Sequence, residues 1–404
     1  MRKFILVILT VLMAVSVCAA CLIGCSRAPA TPDVRPDATP DVGADLGGGD
    51  AASPEEGGSP ESPEEVPAPS ESDGTYFKFG GWYTSPDFSG EPLFSLSVVE
   101  TEGLYAKWES VTIDYAPFEE NGDRYVYYGT FPQTALNLEQ SASVAEQIKG
   151  KTPDANGYFT VNLTIGEESK SVKVFPASGY VLDAHYRFDN GELIENATTY
   201  YFLVEPIKWK ILSSDASGKS VLLSEKLLLC EQYSDRTDTI TQSGLIYHPN
   251  NWSKSKLRAT LNGTFLRRAF SAEEQNVLQT VSNYDSGSNA FYETYATDTT
   301  TEDKVYVPSY ADMVNTAYGF SSDFFTADAA RTAITTDYAR IQNSWIDKRQ
   351  GDGFGKSVYW LRSPGHKPRC NSIVYFDGKC GQTTHWSNTN FVSVRPMVTA
   401  VITG

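Results

Sequence analysis

The residues able to do covalent or metal chemistry are few and poorly spaced for it. Four histidines occur, His185, His248, His366 and His385, and none stands in H-E-x-x-H or another zinc-binding spacing. No G-x-S-x-G turn is present to raise a serine nucleophile. Gly351-Asp352-Gly353-Phe354-Gly355-Lys356-Ser357 comes closest to a phosphate loop. Only Asp352, Gly353 and Phe354 separate Gly351 from Gly355, one residue short of the motif, and the stretch runs into a strand-like segment instead of a helix N-terminus. Of the six cysteines, Cys230, Cys370 and Cys380 lie in the body of the chain, an odd number that makes no disulfide framework. Cys230 ends the apolar run Leu227-Leu228-Leu229 and reads as a buried thiol. Cys370 and Cys380 flank the turn Asp377-Gly378, and either a hairpin disulfide or two free thiols fits that placement.

Non-covalent chemistry is concentrated near the end. An apolar run, Val358-Tyr359-Trp360-Leu361, locks into Arg362-Ser363-Pro364-Gly365, and Val392-Ser393-Val394-Arg395-Pro396 closes the stretch. Between them the chain is crowded with polar and ring-bearing residues. A stiff frame around an adaptable middle is how binding surfaces are built. The candidate ligand contacts are His366, Lys367, Arg369, Asn371, Tyr375, Gln382, Thr384, His385, Trp386, Ser387, Asn388 and Asn390. Aromatic rings supply contact area at low entropic cost, and Asn, Ser and Thr supply adaptable hydrogen bonds. Phe376 and Trp386 fit core packing of a hairpin equally well. Arg362 and Arg395 are expected to pair with buried carboxylates or carbonyls, and Trp209, Trp252 and Trp360 to lie in the core. No metal site and no cofactor is expected.

Net charge is −17, which disfavours nucleic acid as a partner. Residues 26–74 hold 12 acidic residues against 2 arginines, so most of that charge sits in one stretch. That stretch has no aromatic residue, is rich in Pro, Gly and Ser, and repeats Thr-Pro-Asp-Val at Thr31 and Thr39. It cannot bury enough apolar surface to fold and is expected to be an extended, disordered linker. Before it, Arg2-Lys3 and the apolar run 4–20 make a secretory signal. The run ends in Leu22-Ile23-Gly24-Cys25, which resembles a bacterial lipobox. That resemblance implies residues 1–25 are a lipoprotein signal with Cys25 as the lipidation site, the chain being held at the membrane by acyl groups and facing outward from the cell envelope.

The elements that must position the candidate surface follow from pattern. Residues 125–134 read as a strand turned by Gly129 and Pro132, and 139–149 as a helix. Residues 158–165 and 171–175 read as strands, and 200–204, 207–212 and 220–224 as a meander of three. Ser253 is placed to cap a helix over 254–265, and Ser271-Ala272-Glu273-Glu274 has capping-box spacing before another. Residues 287–303 read as a polar insertion, 305–307 as a strand, and 309–316 and 326–334 as short helices. Strands and helices do not alternate as βαβ, so the fold class is mixed α+β.

Two further resemblances are carried by motifs. Phe79-Gly80-Gly81-Trp82-Tyr83-Thr84 with Leu104-Tyr105-Ala106-Lys107-Trp108 resembles the internalin-B-type repeat of bacterial surface proteins. It implies a small β-grasp-like module over 75–110, read as a spacer. From 111 to 404 the order of Tyr128-Gly129-Thr130-Phe131-Pro132-Gln133-Thr134, Ile207-Lys208-Trp209-Lys210, Trp252-Ser253-Lys254-Ser255-Lys256-Leu257-Arg258 with Leu261-Asn262, Trp360-Leu361-Arg362-Ser363-Pro364-Gly365 and Val394-Arg395-Pro396 resembles an uncharacterised domain family of bacterial surface lipoproteins. Its ending is similar to the C-type-lectin-like and formylglycine-generating-enzyme fold. Ser393 departs from that family, which usually has Gly there, and leaves the turn open because Ser adopts positive φ poorly.

Some members of that fold are variable proteins of diversity-generating retroelements, in which adenine-directed mutation yields a restricted residue palette. His366, Arg369, Cys370, Asn371, Tyr375, His385, Ser387, Asn388 and Asn390 fit that palette. The resemblance implies a cell-surface, non-enzymatic binder of a protein or glycan on another cell or phage. The alternative is an envelope enzyme related to formylglycine-generating oxidases, using Cys370 and Cys380. A purely structural envelope lipoprotein is the third reading.

Overall fold

The computed structural model describes residues 75–93, 104–165, 168–285, 299–349, 354–380 and 385–402. Contacts divide the chain into Met1–Ala68 and Pro69–Gly404, and all described residues belong to the second unit. Residues 1–74, on which the expected signal, Cys25 and the expected acidic linker fall, lie outside the described residues. In chain order the first strands are β1 (Thr75–Tyr83), β2 (Tyr105–Thr112), β3 (Phe118–Glu120), β4 (Asp123–Ala135), β5 (Phe159–Ile165), β6 (Glu168–Ser178), β7 (Thr199–Ser214) and β8 (Lys219–Ser224). Next come β9 (Leu229–Cys230), β10 (Ile240–Gln242), β11 (Leu245–Tyr247), β12 (Val281–Asp285), β13 (Thr299–Asp303) and β14 (Val305–Tyr306). The last are β15 (Tyr359–Pro364), β16 (Cys370–Val374), β17 (His385–Trp386), β18 (Ser393–Val394) and β19 (Met397–Val401). Short helices punctuate them, so the fold is mixed α+β.

Two sheets carry the structure. The larger runs β14-β19-β8-β7-β4-β3, with β6 also on β7 and β5 on β6; the smaller runs β17-β16-β15-β18-β9. Strand β7 is the spine of the first. It pairs β6 through residues 199–203 and β8 through 209–214. The expected break at Glu205-Pro206 is therefore absent. Pro206 falls where one edge of β7 passes from β6 to β8, so its missing N–H interrupts no ladder there. Gln133 Nε2 meets the Glu205 and Pro206 carbonyls at 3.3 and 3.0 Å.

Local chemistry explains most elements. In β5, Val161, Leu163 and Ile165 point inward while Thr160, Asn162 and Thr164 face solvent, the period of a half-buried strand. The helix Leu138–Ile148 covers that face with Val144 buried, and starts at a capping box of Asn137 and Gln140. The Ser271–Glu274 box also forms. Ser253, however, is not the cap expected of it. Its hydroxyl donates to Asn251 Oδ1 at 2.5 Å, and Ser255 Oγ accepts from Arg258 N at 3.0 Å. The helix runs Lys256–Thr260, continues as a π turn Leu261–Phe265 and ends at Ala269. The expected polar insertion contains a strand, because Thr299–Asp303 pairs with Val281–Asp285. Residues 326–334 form only one 3₁₀ turn, Ala329–Arg331, since the Arg331 guanidinium is drawn inward to backbone carbonyls. Ser393 sits in extended backbone, and its hydroxyl lies 2.9 Å from Ser357 Oγ and 3.1 Å from Ser344 Oγ. A hydroxyl network stands where a glycine turn was considered.

The segment expected to be a repeat forms the antiparallel pair β1–β2, with a bulge between Phe79 and Trp82 at Gly81 (φ 106°). The pair packs on the main body. Phe79 N donates to the buried Glu205 carboxylate at 3.1 Å, and Phe77 and Trp108 lie against the small core beneath β5 and β6. Trp209, Trp252 and Trp360 are fully buried in the main core, as the sequence leads one to expect.

The two sheets are joined where the chain crosses from β8 to β9 and returns from β18 to β19. Arg395 lies at that crossing, buried, with Nε on Ser224 O at 2.9 Å and Nη1 on Arg331 O at 3.0 Å. Ser224 N donates back to Pro396 O at 3.0 Å. Replacing Arg395 by Met removes the guanidinium bonds to Ser224 O and Arg331 O, the latter keeping Tyr359 Oη, and denaturant unfolding should show a loss of about 3 kcal/mol, each charged hydrogen bond contributing roughly 1.5–3 kcal/mol. An unchanged midpoint would show that the crossing holds without this guanidinium.

Candidate functional site

The closing stretch divides into a buried frame and an outward row. Tyr359, Trp360, Leu361, Ile373 and Val374 have no exposed surface. Trp360 Nε1 donates to Glu231 O at 2.8 Å and Tyr359 Oη to Arg331 O at 2.7 Å, which fixes both rings. Arg362 Nη1 reaches Val307 O at 2.9 Å and Asp312 Oδ2 at 3.0 Å, so Arg362 and Arg395 are both structural.

From this frame the chain turns through 364–370, held from below by side-chain amides. Asn250 Nδ2 donates to the carbonyls of Lys367 and Cys370, both at 3.2 Å, and Asn250 N to Pro368 O at 3.3 Å. Asn371 Nδ2 returns a bond to Asn250 O at 3.1 Å. Ser387 Oγ lies 2.7 Å from Asn371 Oδ1 and 2.9 Å from Arg369 O, while Ser234 N donates to Ser387 O at 2.8 Å. These groups satisfy one another away from water, and buried networks of that kind are rigid.

Asn371 and Ser387 are consequently not ligand contacts. They are 0 % and 1 % exposed, and their polar atoms are engaged within the clamp. Tyr375 is also removed from the set. It stands at the far end of β16 from Cys370, five residues or roughly 16 Å away. There its N–H donates to Lys379 O at 2.8 Å, and its ring packs on the core. Gln382 and Thr384 lie outside the described residues.

The rest of the set lies on two segments that are bonded to each other, Cys370 and Asn371 pairing with Trp386 and His385. Lys367, Arg369, Asn388 and Asn390 are exposed, and Trp386 is 55 % exposed on the edge strand β17. Their backbone is pinned although their side chains face out. Gln232 Nε2 holds Asn388 O at 2.7 Å, Asn343 Nδ2 holds Asn390 O at 3.2 Å, and Ser387 N donates to Arg369 O at 2.7 Å. His366 and His385 are half-buried at the rim, His385 edge-on to Phe391 with centroids 5.3 Å apart. Burial holds both imidazoles below their ordinary pKa, with Lys367 adding to the effect at His366. Burial does the same at His248.

Sequence reasoning missed the neighbouring wall, residues 231–251. Arg369 Nη2 meets Asp238 Oδ1 at 3.3 Å, and Gln232, Ser234 and Asn250 all bond the closing stretch. The Arg369–Asp238 pair is exposed and worth little in stability, but it aligns the guanidinium. The tip of this segment is the hairpin β10–β11, turned by Ser243 and Gly244, both at positive φ, and it exposes Ile240, Leu245 and Ile246. A signal was present: about twenty mostly polar residues without periodicity inside a packed domain mark a functional loop.

The cysteines do not form a pair. Cys230, Cys370 and Cys380 are free and buried. Cys370 is opposite Trp386, whereas Cys380 bridges Val374 at the other end of β16, four residues or roughly 13 Å along the strand. That span exceeds the reach of a disulfide. Burial pushes the Cys380 and Cys230 thiols up to about 12. Among the described residues no three His, Cys, Asp or Glu side chains gather as metal ligands, and no helix is long and apolar enough to cross a membrane.

Residues 217–399 match the model of a family described as a domain of unknown function (DUF6273). The match begins at the turn before β8 and ends within β19, so it contains the clamp and the outward row. No curated protein and no solved structure matches the chain.

Two outcomes test this description. Asn250→Ala removes one of the two donors to each of the Lys367 and Cys370 carbonyls, which keep Cys370 N and Gly365 N, and should cost about 1–3 kcal/mol and raise hydrogen exchange at residues 365–371. For the histidines the folded state favours the neutral ring, so their contribution is full above the ordinary 6.5 and is lost as pH falls through the lower folded value. Wild type should therefore lose stability relative to His385→Gln between pH 6.5 and 5; parallel curves would contradict that sign.

Proposed function

We propose that this is a lipid-anchored cell-surface binding protein whose C-terminal face, formed by Lys367, Arg369, Trp386, Asn388 and Asn390 with His366 and His385 at the rim, engages a protein or glycan on another cell or phage. The observation that carries this reading is the division within one short stretch between buried, mutually bonded Asn371 and Ser387 and the pinned, outward-facing row above them. A preorganised row of a large ring, a guanidinium and amides keeps the ordering cost of binding low. The scaffold we infer is C-type-lectin-like, with β15, β16 and β18 as the frame. Cys25 would carry the acyl anchor, with residues 26–74 as the stalk that lifts the face off the envelope. If the stretch is diversified by a retroelement, variation is confined to His366, Arg369, His385, Asn388 and Asn390, because Asn371 and Ser387 hold the clamp. An oxidase related to formylglycine-generating enzymes is the less supported alternative, since its two thiols would sit at opposite ends of β16 and Cys380 is held protonated.

The full chain, immobilised and challenged with a glycan array and with panels of cells and phages, should retain ligand. Trp386→Ala combined with Arg369→Ala should weaken that retention at least about tenfold, as loss of a central aromatic and Arg does elsewhere, with no change in unfolding midpoint. Undiminished retention in the double variant would remove this face from consideration.

A further inference from the structure

A second place on the molecule has the chemistry of a binding site and is remote in the chain from the closing stretch. Where β1 and β2 meet the main body there is a partly open cleft of about 40 Å³. One wall is aromatic: Phe79, Trp82 and Trp108, with Phe79 edge-on to Trp82 at 5.3 Å and to Trp108 at 5.5 Å between centroids. The facing wall is polar and includes Asn137, Gln140 and Asn190.

The polar wall is rich in N–H donors, and the capping box explains why. Asn137 Oδ1 accepts from Gln140 N at 2.9 Å, and Gln140 Oε1 accepts from Asn137 N at 3.3 Å. Both amide oxygens are thereby committed, and each amide's nitrogen end is left over. Asn190 Nδ2 and Trp82 Nε1 have no hydrogen-bond partner among the described residues, and neither does Glu192 Oε2 beside them. Glu192 is held close through its other oxygen, which accepts from Leu138 N at 3.3 Å. Buried donors without partners are rare in folded proteins and costly, so the two at this cleft, Trp82 Nε1 and Asn190 Nδ2, point to oxygen acceptors supplied from outside.

We infer that this cleft binds a neutral saccharide, with the Trp82 and Trp108 rings against the apolar face of a sugar ring and the Asn137, Gln140 and Asn190 amides donating to its hydroxyl and ring oxygens. Hydroxyls serve both as acceptors for these amides and as donors to Glu192 Oε2. Glu192, whose amide donates to Asn190 Oδ1 at 2.9 Å, brings a carboxylate close to the lining and disfavours an anionic ligand. The volume holds about three waters by the usual allowance per water, which the edge of one sugar ring displaces. The repeat then acts as one wall of a site that the main domain completes, and this holds whether or not the C-terminal face binds anything.

The test is to titrate the full chain with maltotriose, cellotriose, chitotriose and xylotriose, reading tryptophan fluorescence and saturation-transfer NMR. At least one should bind at millimolar concentration or better. Trp82→Ala and Asn190→Ala should each weaken it about tenfold, equivalent to 1.4 kcal/mol, while substitution of the exposed Tyr180 by Ala, outside both faces, leaves it unchanged. Asn190→Ala guards against the case in which removing Trp82 loosens β1–β2, which circular dichroism would reveal. Binding of none of the four, or equal affinity in wild type and Asn190→Ala, would leave the cleft as a hydrated joint and overturn the inference.

Discussion

The structure depends on guanidinium groups taken out of water to hold main-chain carbonyls. Arg395 ties the two crossings between the sheets through Ser224 O and Arg331 O. Arg331 is itself fully buried, with Nε on Met313 O at 2.7 Å and Nη groups on Gly378 O and Asp323 O at 3.2 and 3.1 Å. Tyr359 Oη joins them by donating to Arg331 O. Irregular segments that pass through a core cannot pair their carbonyls in a ladder, and one planar group with five donors serves several of them at once. This is why the region can be so poor in regular helix and still be tightly held.

A carboxylate plays the opposite part in the first half of the matched domain. Asp303, almost fully buried, receives Trp252 Nε1 at 2.9 Å, Arg258 Nε at 2.6 Å, Asn283 Nδ2 at 3.0 Å and Thr301 Oγ1 at 2.6 Å. Asn262 bonds the strand just beyond, with Nδ2 on Val305 O at 2.8 Å. The motif that runs from Trp252 through Arg258 to Asn262 is thus a single device for seating β13 and β14 against the helix. Its spacing reports packing.

Much of the fold was legible because its signals are local. The strand alternation in β5, the capping box at Ser271 and the core tryptophans are fixed by short-range rules. The misplaced features had chemistry that serves two purposes. Ser253 and Ser255 are both able to cap a helix, and only the turn before them selects Ser255. Glu205-Pro206 breaks strands in general, but here it falls at a gap between neighbours. The site had the same ambiguity. Asn371 and Ser387 offer the same groups to a ligand or to a clamp, and β17 has only two residues, too few for a period to say which side faces out. Lys367 and Arg369 were easier to place, since long charged side chains resist full burial, whereas Trp386 fitted a core and a surface equally well.

The grip of Glu205 on Phe79 has a mechanical meaning. A pull arriving from the N-terminal side enters the described unit at Thr75, and the chain leaves the β1–β2 pair at Thr112, directly opposite. Force applied across those two points peels the hairpin open rung by rung, a weak mode of resistance. After Tyr76, Phe77 and Lys78 have separated from their partners, the next rung is Phe79, whose amide is fastened to a carboxylate rooted in β7. Peeling halts there unless that acid lets go, so tension along the chain is handed to the large sheet instead of unravelling the module at its entrance.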